Sequence, residues 1–182
     1  MKKIILIVVL VLLPLIANAE IGGMPFDPGE FEIEIYQYPH MILIDNPESQ
    51  QVDTYYTFTN TDGDYQVRYS FFRQTNRDDP NIRFSYSVMI MMVVWNIAGH
   101  EDVRIVNFDD SDVLEEFNGD FGNTAFIENP VSDFATGFKY IMVNTFYKEN
   151  QGIVVQSILV NDRNIFQTHL FLDLIYSFSF HD

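Results

Sequence analysis

The sequence predicts an α+β fold: an antiparallel β-sheet with a long helix at about 80–98 and a C-terminal helix packed on it. Three observations carry the prediction. Two runs rich in Tyr, Phe, Thr and Val, at 52–60 and 65–74, flank Asp62-Gly63, a dipeptide suited to a hairpin turn. A second hairpin is written at 138–148 and 152–160, two runs apolar on both faces and therefore expected to be covered on each side. Between the hairpins, residues 80–98 begin after Asp79 with Pro80 and stop before Gly99, an N-cap, first-turn and C-cap pattern typical of a helix.

The elements follow in order. Lys2 and Lys3, the apolar run Ile4–Leu13 and Ala17-Asn18-Ala19 have the layout of a secretory signal peptide over 1–19. The apolar run is too short to cross a bilayer comfortably. Residues 20–30, with three Gly and two Pro, read as an irregular leader to a single domain over 31–182. In FEIEIYQY, Phe31, Ile33 and Ile35 alternate with Glu32 and Glu34, as in a half-buried strand. MILI at 41–44 reads as a further strand, lying between Pro39 and Pro47.

The helix at 80–98 holds eight consecutive apolar residues, Val88–Trp95, which would rise only about 12 Å, too little to span a membrane. At 100° per residue, Ile82, Tyr86, Met89, Val93 and Ile97 form one apolar stripe, and Met89→Asp is expected to destabilise the fold strongly. Phe84, Val88, Met91, Met92 and Trp95 form a second, roughly opposite stripe. One sheet cannot cover both. The second stripe needs either the chain's own C-terminal segment, through Phe166, Leu170 and Leu174, or a protein partner or second copy. Phe84, Val88, Met91 and Trp95 are therefore the candidate partner-binding residues.

Beyond Gly99, VRIVNF (103–108) and TAFIE (124–128) read as strands around an acidic loop or short helix at 109–120. The last stretch is open to two readings. As a helix over 163–175 it buries Phe166, Leu170 and Leu174; as a strand, alternate residues from Leu170 to Phe180 line one side.

Composition excludes several chemistries. There is no Cys, hence no disulfide, thiolate metal site, Cys nucleophile or lipid-modified cysteine. The formal charge is −16; loss of 1–19 removes Lys2 and Lys3 and leaves 8 basic against 26 acidic residues, or −18. Such a field repels nucleic acid and anionic headgroups. With no disulfide and no N-x-[ST] acceptor, the chain reads as an exported bacterial protein, periplasmic or secreted.

No phosphate-binding glycine loop, H-E-x-x-H pair or G-x-S-x-G elbow is present, and the four histidines are far apart in sequence. No catalytic residue and no cofactor is predicted. Asp109, Asp110 and Asp112 head an acidic cluster that offers oxygen ligands to Ca²⁺. The EF-hand spacing fails, because the twelfth position from Asp110 is Phe121, and capping of a short helix is the favoured role of these acids.

Hairpins, a long helix, further antiparallel strands and a terminal helix leading into Ser177-Phe178 resemble the small α-β-α sandwich of the PsbP/Mog1/DcrB-like group. The resemblance would span roughly 31–180 and implies an accessory or binding role without catalysis. It transfers no binding residue, and the missing Cys departs from the lipoprotein members. Two other readings compete with an exported binding domain. An eight-stranded outer-membrane barrel fits the signal peptide and the aromatic, alternating strands. A hydrolase with an unrecognised site is the other.

Overall fold

The computed structural model describes residues 24–26, 32–48, 52–73, 81–100 and 103–181. The expected signal peptide at 1–19, the remainder of the expected 20–30 leader and the expected Asp79-Pro80 start of the long helix lie outside the described residues.

Ten strands are formed among the described residues: β1 Met24–Phe26, β2 Ile33–Gln37, β3 Ile42–Ile44, β4 Tyr56–Thr59, β5 Tyr65–Phe72, β6 Ile105–Asn107, β7 Phe121–Glu128, β8 Tyr140–Lys148, β9 Gly152–Val160 and β10 Phe178–Phe180. Helices are α1 Ile82–Ala98, α2 Asp110–Phe117 and α3 His169–Ile175. Strands β3–β9 make one seven-stranded sheet in the order β3-β4-β5-β9-β8-β7-β6, and β1-β2-β10 make a second, smaller sheet. Every paired neighbour is antiparallel. Met24–Phe26, expected to be irregular, instead pairs with β2 through Phe26↔Ile35 and Met24↔Gln37.

The large sheet is open, with β3 and β6 as its edges, so the barrel alternative does not hold. The reason is visible in the central hairpin. Along β8 and β9 nearly every residue is buried, and the side chains alternate between two separate cores. Met142, Phe146, Val154 and Ile158 face a core shared with α2, α3 and the small sheet. Ile141, Val143, Val155 and Leu159 face a core shared with α1. A barrel strand would give one of those faces to lipid.

Both turns use left-handed residues, although not in the tightest form. Gly63 has φ 72°, while Asp62 is not among the positive-φ residues, so Asn60–Asp64 is a five-residue loop. The Asn60 side chain closes it, accepting from the Asp64 N–H at 2.8 Å. Register Lys148↔Gly152 leaves three residues in the second turn, where Asn150 takes φ 67°.

Helix α1 ends at Gly99 in the left-handed conformation (φ 75°), its N–H returning to the Trp95 carbonyl at 2.8 Å. A Cβ at Gly99 would meet Val131 Cγ2 at 2.7 Å and the Ser132 nitrogen at 2.8 Å. That segment is fixed by the Val131 N–H on the Ala98 carbonyl (2.9 Å) and by Ser132 Oγ donating to the Ile97 carbonyl. Gly99→Ala therefore combines left-handed strain with a clash, and should cost about 2 kcal/mol. Calorimetry should show the melting temperature falling by about 4–8 °C; an unchanged value would remove the close approach from the account.

The C-terminal segment combines the two sequence readings. Arg163–Gln167 is a 3-10 turn, α3 follows, and only Phe178–Phe180 is a strand. Phe166 and Leu170 pack against the core opposite α1, and Leu174 lies within it. The segment thus cannot cover the second stripe of α1, because the sheet stands between them. A hairpin apolar on both faces needs two covers, and the chain supplies α1 to one face and its C-terminus to the other.

Candidate functional site

The outer face of α1 is where the sequence places partner-binding residues, and among the described residues three of its apolar side chains are exposed. Phe84 is 71 %, Met92 57 % and Val88 37 % exposed. Met91 and Trp95 are half-buried and belong to neither core. The buried residues are Tyr86, Ile90, Val93, Val94, Ile97 and Ala98, so the packed face is turned slightly from the expected stripe. Ile90 and Val94 are fully buried; Ile82 and Met89 lie only half-buried at its margin.

This orientation is set by hydrogen bonds and ring contacts near the start of α1. The Tyr86 hydroxyl lies 2.8 Å from Thr145 Oγ1, which donates to Asn123 Oδ1 at 2.5 Å. The Tyr86 ring meets Phe121 edge-on at 4.8 Å between centroids. Arg83 lies over Phe121 at 4.4 Å and pairs with Asp110 at 2.5 Å on α2. With both side chains of that pair more than half exposed, it adds orientation and little stability.

Phe134, at the far side of the same core, is held over the sheet by buried Arg68. The guanidinium donates to the Phe134 carbonyl and, through Nε and Nη2, to Gln66 Oε1 at 3.0 and 2.6 Å. It also lies 4.7 Å from the Phe134 ring centroid. Burial lowers its pKa to about 10.

The acidic cluster is divided among separate tasks. Asp109 caps α2, accepting from the Ser111 N–H at 2.9 Å and its hydroxyl at 2.5 Å. Asp110 pairs with Arg83, and Asp120 accepts from the Glu149 N–H at 2.6 Å. Among the described residues no three His, Cys, Asp or Glu side chains converge to hold a metal.

An open groove of about 620 Å³ between α2 and the small sheet has no counterpart in the sequence reading. Glu34, Glu115 and Glu116 line it together with Leu114, Phe180 and His181. His181 Nε2 lies 3.9 Å from Glu34 Oε1. Its sequence signals were separate, the outward Glu32/Glu34 alternation of β2 and the acidic run that includes Glu115 and Glu116; the strand that completes it, β10, comes from the other end of the chain.

Burial raises the pKa of Glu116, with Glu115 and Asp112 adding to the effect. Burial also raises that of Asp173, against the opposing pull of His40 and His169. A carboxyl whose pKa is higher folded than unfolded is destabilising when ionised. Stability should therefore rise as pH falls through the folded values and level off below the ordinary ones, 4.5 for Glu116 and 3.8 for Asp173. Asp109 acts oppositely: its pKa is lowered by the Ser111 hydroxyl and N–H, so its contribution is lost only at still lower pH. The melting temperature should climb as pH falls toward those ordinary values, with a shallower climb in Asp173→Asn. A decline over that interval would contradict these assignments.

No helix among the described residues is long and apolar enough to cross a membrane. No protein-family model and no curated protein matches the sequence. Among solved structures, the chain is similar to the solution structure of cyanobacterial PsbP (CyanoP) from Synechocystis sp. PCC 6803, with a TM-score of 0.55 and 12 % identity. The match covers 90 % of this chain and 96 % of that one. The resemblance expected from element order thus holds at the level of fold, and the chain has a PsbP-like α+β architecture.

Proposed function

We propose that the protein is an exported accessory domain, a single unit after removal of 1–19, that acts by binding rather than by catalysis. Its docking surface is the outer face of α1, formed by Phe84, Val88, Met91 and Trp95 with Met92 beside them. The observation that carries this reading is the 71 % exposure of Phe84 and 57 % exposure of Met92 on a helix whose other side is fully packed. Contiguous exposed apolar residues on a folded domain mark interaction sites, and aromatic side chains dominate such contacts. The signal-peptide layout supports export to the periplasm or beyond, and the resemblance to the PsbP-like group supports an accessory role.

Expressed with its signal sequence, the chain should be recovered from the exporting cell without detergent, beginning at Glu20. A photo-reactive phenylalanine at position 84 should give a cross-linked adduct that Met92→Asp abolishes. The same probe at Leu114, also exposed but on α2, should give an adduct insensitive to that change, or none. Absence of an adduct at 84 defeats the docking face, and recovery only in detergent defeats the reading as a soluble domain.

A further inference from the structure

We infer that the partner on this face is a second copy of the chain, held through an antiparallel α1–α1 pair. The inference rests on the docking face proposed above and says what occupies it. Phe84, Val88, Met91 and Trp95 are spaced four, three and four residues apart. That is the alternating spacing of a helix–helix seam, in which each side chain enters a gap between side chains of the facing helix. None of the four belongs to either core of its own chain; Phe84 and Val88 are exposed, and Met91 and Trp95 are half-buried.

Charge selects the occupant. From Phe84 to Gly99 there is no Asp, Glu, Lys or Arg, in a chain that carries −18 once 1–19 are removed. A basic partner would gain nothing from this uncharged stretch of α1 and would be drawn to acidic surfaces instead. Two copies repel one another generally, but here they meet without opposing carboxylates. Ser85 and Ser87 flank the seam where a heteromeric pair would ordinarily carry charges that choose a partner.

An antiparallel pair follows from the symmetry of the seam. Its centre falls between Val88 and Met91, so a two-fold axis there sets Val88 of one copy against Met91 of the other, and Phe84 against Trp95. The large rings then lie at the two ends and the smaller side chains at the crossing. Antiparallel helices also set opposite dipole ends together. The 17 residues of α1 span about 25 Å, a smaller contact than stable dimers use, so a dissociation constant on the order of 10 μM is expected.

Sedimentation of the purified chain lacking 1–19, from about 1 to about 500 μM, tests this. Expected is a monomer–dimer equilibrium in which Met92→Asp removes the dimer while leaving the monomer's melting unchanged. Because the chain has no cysteine, register can be read cleanly. Oxidation of a mixture of Val88→Cys and Met91→Cys proteins should yield the mixed disulfide well above either homodisulfide, since only that pairing brings the Cα atoms within bridging distance at the same level. Homodisulfides in equal yield overturn the antiparallel register. A monomer throughout overturns self-pairing. If that monomer still gives a Met92-dependent adduct with another protein from position 84, the docking face stands; without one, both readings fall.

Discussion

Ile90→Asp should leave the chain largely unfolded, whereas Met92→Asp, two residues along the same helix, should melt like the parent. Ile90 is 0 % exposed and lies in the core between α1 and the large sheet, among residues such as Ile97, Val143 and Leu159. A carboxylate there is taken out of water among aliphatic side chains, so it must either stay charged at high cost or take up a proton. Lost packing adds to that penalty, and together they should exceed about 4 kcal/mol, a large part of the stability of an ordinary domain. Met92 lies 57 % exposed, and a charge placed there remains hydrated. The expected change is within about 0.5 kcal/mol. Circular dichroism and chemical denaturation of both variants decide the matter. If Met92→Asp is the damaging one, α1 is turned around and its bare face belongs to the core.

The same helix shows what could be read from sequence and what could not. Its end was legible, because Gly99 is required by a left-handed residue that also abuts Val131 and Ser132. That it has two apolar sides was legible from periodicity. Which residues centre the packed side was only nearly so: Met89 lies at the margin and Ile90 at the centre. A helix apolar nearly all round has little angular contrast, so tertiary contacts such as Tyr86 on Thr145 fix the last part of a turn. The fate of the C-terminus was illegible for a related reason. A period-2 pattern and a period-3.6 pattern overlap from Leu170 to Phe180, and the chain uses one and then the other, changing at Tyr176–Ser177. The groove beside α2 needed knowledge that β10 pairs with β2, a contact between opposite ends of the sequence. By contrast, Ser177-Phe178, a family-like motif in the sequence, has a physical role in the structure, since Ser177 joins a buried polar row crossing the sheet.

Gln156→Leu is expected to be the other severe variant, because Gln156 is the centre of that row. Thr124, Asn144, Gln156 and Tyr69 are direct cross-strand partners on β7, β8, β9 and β5. Thr124 donates to Asn144 Oδ1 at 2.8 Å, and Asn144 Nδ2 donates to Gln156 Oε1 at 2.9 Å. Gln156 Nε2 then reaches the Leu174 carbonyl at 2.9 Å and Ser177 Oγ at 3.2 Å, binding the end of α3 to the sheet. Ser177 Oγ completes the row, 2.5 Å from the Tyr69 hydroxyl. Leucine keeps the approximate volume but leaves the Asn144 amide and the Leu174 carbonyl without this partner in a layer where Gln156 and Asn144 are both 0 % exposed. At roughly 1–3 kcal/mol for each buried group left unpaired, the loss should be about 3 kcal/mol. Gln156→Glu separates the donor from the acceptor. Its carboxylate can still accept from Asn144, but when ionised it opposes the Leu174 carbonyl with a second acceptor. When protonated it can donate there. Burial raises the folded pKa of such a group above its unfolded value, so the variant should regain stability relative to the parent as pH falls through that folded value. A Gln156→Glu protein whose stability deficit stays the same from about pH 9, above the range reached by buried carboxyls, to about pH 5 would show that donation from position 156 does not hold the C-terminal segment.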